Sequence, residues 1–351
     1  MKRALTERTR RVPLGAALPV VAVVLAIAIV VAIGSGPIEL TPRTVLAVAG
    51  HEILGLGPGA GPLETTVVMD LRMPRVLFGA LTGAALAVSG AALQSLFRNP
   101  LADPGIIGVS AGASTGAVGA IVMLPPITGA LVAWVVPASA FVGGLLATAL
   151  IYALARPSAG TGTARLLLVG IAVGAAFSAA TGFFTFAADD DELESVVFWQ
   201  MGSLGSISWL RLAIVTLPVL LGLGLLMSLA RRLDLLTLGE RQAKHLGLDV
   251  NSTRRLVIVI TALLTGATVA FTGTIGFIGL VVPHIVRLLC GPGHRALLPV
   301  SAVLGALLIV VADTLSRVVA PPAEVPIGLF TALMGAPFFL ALVMRSRAVQ
   351  L

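Results

Sequence analysis

The sequence predicts an all-α polytopic membrane protein of about ten transmembrane helices. Three observations predict it. The 351 residues are 57% hydrophobic and only 11% charged. A soluble domain carries about 25% charged residues, so this chain cannot cover a water-facing surface. Apolar segments near the ~20 residues that cross a bilayer recur from one end to the other. Finally, the basic residues between those segments concentrate on one side.

The spans fall at 14–34, 75–97, 105–124, 131–155, 166–187, 211–229, 256–273, 277–290, 297–312 and 327–344. They form one transmembrane domain over 1–351, with a cytoplasmic tail at 1–13 and a cytoplasmic loop at 230–255. The first span follows Lys2, Arg3, Arg8, Arg10 and Arg11. It is longer than the 7–15 residues of a signal-peptide core and no A-x-A site follows, so it reads as a retained helix with its N-terminus inside. Spans eight and nine read as short, broken or tilted.

With that orientation, 18 of the 23 basic residues are cytoplasmic and both termini are inside. The net charge of +7 is then a topology and lipid-headgroup signal, and nucleic acid is not an expected partner. Arg43, Arg72, Arg75, Arg211 and Arg317 stand out on the external side. Cys290 is the single cysteine, so an intrachain disulfide is impossible and no zinc spacing exists.

The second span begins at Arg72 and Arg75 around Pro74 and ends at a turn. Pro100 biases Asn99 out of the helical region. Asp103 is placed to cap the next helix, with Pro104 at its first position. The acids Asp189, Asp190, Asp191, Glu192 and Glu194 fall in an external loop with Trp199 and Trp209, which read as interfacial anchors. In the 230–255 loop, Thr237 to Glu240 forms a capping-box pattern that would start a short helix, and Gly247 would stop it. His284 and Arg287 are ionisable groups within a span, a pattern that proton relays share with structural hydrogen-bonders. Asp313 and Arg317 lie four apart on one face and can pair.

Leu81–Ala91 (LTGAALAVSGA) is echoed by Leu264–Thr274 (LTGATVAFTGT). The echoed helices run in opposite directions, so spans 2–5 and 7–10 form an inverted repeat, an architecture of transporters. Within the echoes, Gly79, Gly83, Ala87 and Ala91 share one helix face, as do Ala262, Gly266, Ala270 and Thr274. Such stripes let helices approach closely in lipid, and their role is packing. The two lysines, Lys2 and Lys244, sit in no G-x-x-x-x-G-K-[ST] loop, so any ATP chemistry of that kind belongs to another chain. The sequence pattern shows no Ser-His-Asp set, catalytic carboxylate pair or H-E-x-x-H, and a membrane enzyme is not expected.

Several motifs occur together: R-x-P-R at Arg72–Arg75, Gly90–Gln94, Asn99–Pro104, Gly108–Ser110, Gly276–His284, Pro326–Gly328 and Gly335–Phe339. In this order they resemble the FecCD-like permease subunits of type II ABC importers, which carry iron-siderophores, haem and cobalamin. The resemblance covers about residues 14–345. It implies a second permease copy or paralogue, two cytoplasmic ATPase subunits that bind ATP and Mg, and an external substrate-binding protein. This chain itself would bind no cofactor and no metal. It implies that Arg72, Arg75 and Arg317 accept carboxylates of the binding protein. Glu240, Ala243 and Gly247 loosely match the ATPase coupling pattern. Gly170, Gly174, Thr181, Trp199, Gln200, Gly202 and Ser203 would line or gate the path, in the cell membrane of a bacterium. The alternative is an ion-coupled secondary transporter, which needs mid-membrane carboxylates that the sequence does not clearly place.

Overall fold

A computed structural model describes residues 12–124, 131–155 and 162–347. Most of the basic tail and Arg156, which the charge reading used, lie outside the described residues. The described chain is all-helical.

The first span is α1 (Leu14–Gly34). Two short helices, α2 (Pro42–Leu54) and α3 (Pro62–Thr65), follow it. A π-helical segment, Thr66–Arg72, then leads into α4 (Met73–Phe97). Beyond a 3₁₀ turn at Pro104–Ile107 come α5 (Val109–Met123), α6 (Val132–Ala155) and α7 (Gly162–Ala187). The short α8 (Asp190–Met201) precedes α9 (Trp209–Ser228), and α10 (Ala230–Thr237) and α11 (Glu240–His245) occupy the long loop. The chain ends with α12 (Val250–Thr272), α13 (Ile278–Cys290), α14 (His294–Val318) and α15 (Ile327–Arg347).

Each predicted span has a helix. Seven are long and apolar enough to cross a membrane, while α5, α13 and the apolar part of α15 are shorter. The ninth span is not short: α14 has 25 residues. Its ends looked too polar because His294, Asp313 and Arg317 are charged or ionisable, yet each is buried with a polar partner. The acidic segment is also not a loop. Asp189 and Glu192 form a reciprocal capping box that starts α8, and the acids of the first turn complement its N-terminal dipole.

α4 is the hub. Buried residues make up 83% of the most apolar window of its span, against 17% for α1 and 22% for α7. It packs against α14, α12, α13 and α9. The small-residue stripe of α4 lies on α14, where a Cβ at Gly83 would sit 2.1 Å from the Gly305 carbonyl oxygen. At Gly90 a Cβ would sit 1.9 Å from the Gly279 oxygen, so backbone meets backbone at the start of α13. Contacts come in matched sets. α4 packs on α14 and α13, as α12 packs on α6 and α5; α5 packs on α6 and α7, as α13 packs on α14 and α15.

The two ends of the bundle differ in charge. The basic end holds Arg98, α10, α11 and the start of α14. The acidic end holds α8, Arg75, Asp313 and Glu324.

Gly90→Val is expected to destabilise the protein by about 3 kcal/mol, the upper range for overpacking, because neither backbone can retreat. Thermal unfolding in detergent checks this, and an unchanged midpoint would remove the close approach as a constraint.

Candidate functional site

At the acidic end, three of the five arginines that the charge reading puts outside converge. Arg72, Arg75 and Arg317 are buried, at 7%, 7% and 5% exposure. Arg75 pairs with Asp313 at 2.9 Å, and Arg317 reaches the other oxygen of Asp313 at 3.2 Å. Asp313 thus bridges α4 and its own helix, α14. Arg72 donates to the carbonyls of Ile33, Gly34 and Ile38, and Arg317 donates to those of Ala32 and Ser35. All but Ile38 lie at the end of α1, where positive charge is favourable. Arg75 also holds Glu324, which is 40% exposed on the α14–α15 loop, at 2.6 Å. The three arginines predicted for docking therefore lie together beneath the acidic end, engaged within the chain.

Two clefts carry most of the predicted path residues. One, of about 580 Å³, runs between α5 and α7 and is walled by Ser110, Ser114, Ser178, Thr181, Thr185 and Gln200. Thr181 bonds Thr115 at 2.8 Å, tying the two walls. The other, of about 810 Å³, opens at the acidic end between α8 and α12. Trp199, Ser203, Asp191, Glu194 and Glu324 line it. Gly202 turns the chain out of α8 at φ +76° and accepts from Ile327 N–H, so it hinges α8 beside α15. The Gln200 carbonyl accepts from Thr274 at 2.5 Å. Gly170 instead packs on the Ile106 carbonyl, outside both clefts, and Gly174 faces open space. Trp209 donates its indole N–H to Met69 in the π-helical segment at 2.8 Å, which gives it a partner inside the protein.

At the basic end, α11 buries Ala243 and exposes Arg241, Lys244 and Leu246. The predicted capping box does not form. Thr237 bonds back to Asp234 within α10, and Gly239 is the N-cap of α11. Glu240 is drawn instead to Arg254 at 2.5 Å and to Thr163 at 2.8 Å, fixing α11 against α12 and the start of α7. Gly247 does end the helix, at φ +82°. In the turn after α4, Asn99 accepts from Leu101 N–H and Asp103 accepts from Gly105 N–H, with Pro104 first in the 3₁₀ turn as expected. Burial pushes the Asp103 carboxyl above its ordinary range, against the pull of the Gly105 N–H.

Sequence reasoning missed two polar nodes. Gln94 donates to the Gly279 and Leu280 carbonyls and accepts from Arg287, closing the unwound start of α13 onto α4. His284 rests its ring edge-on to Phe338. Second, Ser95, His294 and Asp234 do come together, at 2.5 Å and 2.6 Å. No spacing reveals a set split among residues 95, 234 and 294. Ser95 is 3% exposed and also donates to the Ala91 carbonyl, so its hydroxyl is sealed as a helix-to-helix clasp.

A family model described as the FecCD transport family matches residues 24–345. The hemin transport system permease protein HmuU of Yersinia pestis is 46% identical, over 80% of this chain and 83% of its own length. The cobalamin import system permease protein BtuC of Halobacterium salinarum is 45% identical over 83% and 77%. The Fe(3+) dicitrate transport system permease protein FecD of Escherichia coli is 40% identical over 86% and 97%. Among solved structures, a metal-chelate type ABC transporter in an inward-facing conformation matches with a TM-score of 0.81 at 34% identity, covering 93% of this chain and 98% of that one.

Asp313→Ala would leave Arg75 and Arg317 buried without their shared carboxylate. The expected loss is about 3–5 kcal/mol, read as a lowered thermal midpoint in detergent. A near-wild-type midpoint would show that the α1 carbonyls alone hold the arginines.

Proposed function

Because the chain belongs to the FecCD transport family, we propose that it is the transmembrane permease subunit of a binding-protein-dependent ABC importer. Its cargo is a ferric siderophore, haem or cobalamin, moved inward across a bacterial cell membrane, with both termini of the chain cytoplasmic. The observation that carries the reading is the cleft between α5 and α7, walled by small and hydroxyl side chains and free of fixed charge. Such a wall offers a bulky chelate weak, distributed contacts and no tight site, which suits passage.

One chain supplies one side of that path. α7 is mostly exposed, with Leu168, Ile171 and Phe186 on its surface, and a second permease copy or paralogue covers it in this reading. Two separate ATPase subunits bind ATP and Mg. They press on α11, whose exposed basic residues flank buried Ala243, while Glu240 and Gly247 set its position. Spans 2–5 and 7–10 are read as an inverted repeat; the matched packing of α4 and α12 supports this. Gly170, Gly174, Thr181, Trp199, Gln200, Gly202 and Ser203 remain the path and gate set, Thr181 and Gln200 in one cleft and Trp199 and Ser203 in the other.

The acidic end receives the substrate-binding protein. Arg72 and Arg317 act there through the end of α1 that they hold. Arg75 is held by Asp313 below and by Glu324 above, so a docking carboxylate competes with Glu324.

Cells lacking this chain are expected to lose uptake of one labelled cargo among ferric siderophores, haem and cobalamin, and so are cells whose partner ATPase lacks its phosphate-binding lysine. Uptake that persists without ATP hydrolysis would favour the ion-coupled alternative. Glu324→Gln is expected to tighten binding-protein docking by about tenfold, or ~1.4 kcal/mol, while Arg72→Glu and Arg317→Glu weaken both docking and thermal stability. Docking that ignores all three changes would move the contact away from this rim.

A further inference from the structure

A groove between α6, α9 and α12 belongs to neither cleft above. α12 is its floor, and α6 and α9 are its walls. Its volume is about 460 Å³, and no charged side chain lines it. Its wall residues Ile214, Leu221 and Leu225 are 48%, 58% and 50% exposed, so it opens to the hydrocarbon around the bundle. Between Ile214 and Leu225 the helix rises about 16 Å at ~1.5 Å per residue. That is close to half of the ~30 Å hydrocarbon core, the depth of one leaflet.

Arg211 sits at the mouth on the acidic side. It donates to the Ser206 carbonyl before α9 and to the Ala133 carbonyl at the start of α6. Its guanidinium therefore spans the gap between the two walls. It lies 6.0 Å from the centre of the Phe271 ring, which lines the groove. Among the described residues no carboxylate pairs with Arg211. The remaining external arginines of the bundle core are committed to Asp313 or to α1. Arg211 thus leaves a positive charge at the interface, directly above an apolar slot one leaflet deep.

We propose that this groove binds one phospholipid from the leaflet on the acidic side. One acyl chain lies along the α12 floor, and the phosphate sits on the Arg211 guanidinium. The planar donor fork of arginine matches phosphate oxygens, and the contact is strong where water is scarce. The chain fills a slot that α6 and α9 do not close against each other, so α12 is covered on that side by lipid. The site depends only on the protein spanning a bilayer, and its test does not depend on the cargo or the ATPase.

The full chain, purified with its assembled partners in a non-ionic detergent, is washed exhaustively and its phospholipid counted by phosphorus assay and native mass spectrometry. About one phospholipid per chain is expected to remain, a retention that Arg211→Gln and Ala267→Phe each lower about tenfold, equivalent to ~1.4 kcal/mol. Arg43→Gln, on the exposed face of α2, is expected to leave retention unchanged, and Arg211→Lys to restore part of it. Ala138→Phe, on the exposed α6 wall, fills the same groove if Ala267→Phe does not fold. A wild-type chain that keeps no phospholipid overturns the proposal. So does equal retention in wild type, Arg211→Gln and a folded groove-filling variant, or a loss in Arg43→Gln as large as in Arg211→Gln.

Discussion

One carboxylate shared by two buried arginines fixes the acidic end. Asp313 offers one oxygen to Arg75 and the other to Arg317. Charges buried this far from water persist only when paired and fully hydrogen-bonded. The pairing leaves excess positive charge, because Arg72 joins the same cluster. The end of α1 absorbs it. Carbonyls of Ala32, Ile33, Gly34 and Ser35 accept from Arg72 and Arg317, at the negative pole of that helix's dipole. α1 is otherwise the least buried of the seven long spans. Lipid gives it no hydrophobic reason to stay, so the arginine caps are what fasten its C-terminal end to the bundle.

The rest of the core is held by shape. Thr and Ser hydroxyls within α4, α12 and α14 mostly bond their own helix, as Thr268 does to Leu264. Specificity between helices comes from glycine contacts, where two backbones touch, and from a few polar nodes at the ends. This division suits a bundle with a rigid middle and peripheral helices. α4, α12 and α14 are the deeply buried spans, whereas α7 lies at the edge beside the clefts. A path bounded by edge helices can change width without disturbing the glycine contacts at the centre.

The helical class, the position of each span and the turn from Asn99 to Pro104 were legible in the sequence because they are local. Apolar length, proline and a capping acid act within a few residues. The small-residue stripe was legible too, since its period alone demands a packed face. What the sequence hid was long-range. The partner of Arg75 lies 238 positions away, so of the three docking arginines only Arg317, four residues from Asp313, had a partner legible in the sequence. The polar ends of α14 fall outside the predicted span, and the partners that bury them are on α4, α10 and α1. Thr237 and Glu240 had the right spacing for a cap, but Arg254 outcompeted it with a charged contact. The family resemblance supplied the proposed path residues, and the fold puts Thr181 and Gln200 in one cleft, Trp199 and Ser203 in another, and Gly170 and Gly174 in neither.

The same long-range contacts make α4 and α14 one body. They are joined at the acidic end by Arg75 and Asp313, in the middle by Gly83 against Gly305, and at the basic end by Ser95 and His294. Residues 75 and 95 are about 30 Å apart along a helix, so the clamps stand a full hydrocarbon thickness apart. Three contacts spread along two helices oppose both sliding and splaying. The third clamp continues outward, because His294 also holds Asp234 at 2.6 Å. Asp234 is on α10, which leads into α11. α11 packs on α10 and α12, and α10 packs on both α4 and α14, so the pair meets α11 through α10. One continuous set of contacts thus runs from α10 through the α4–α14 pair to Asp313 and the end of α1.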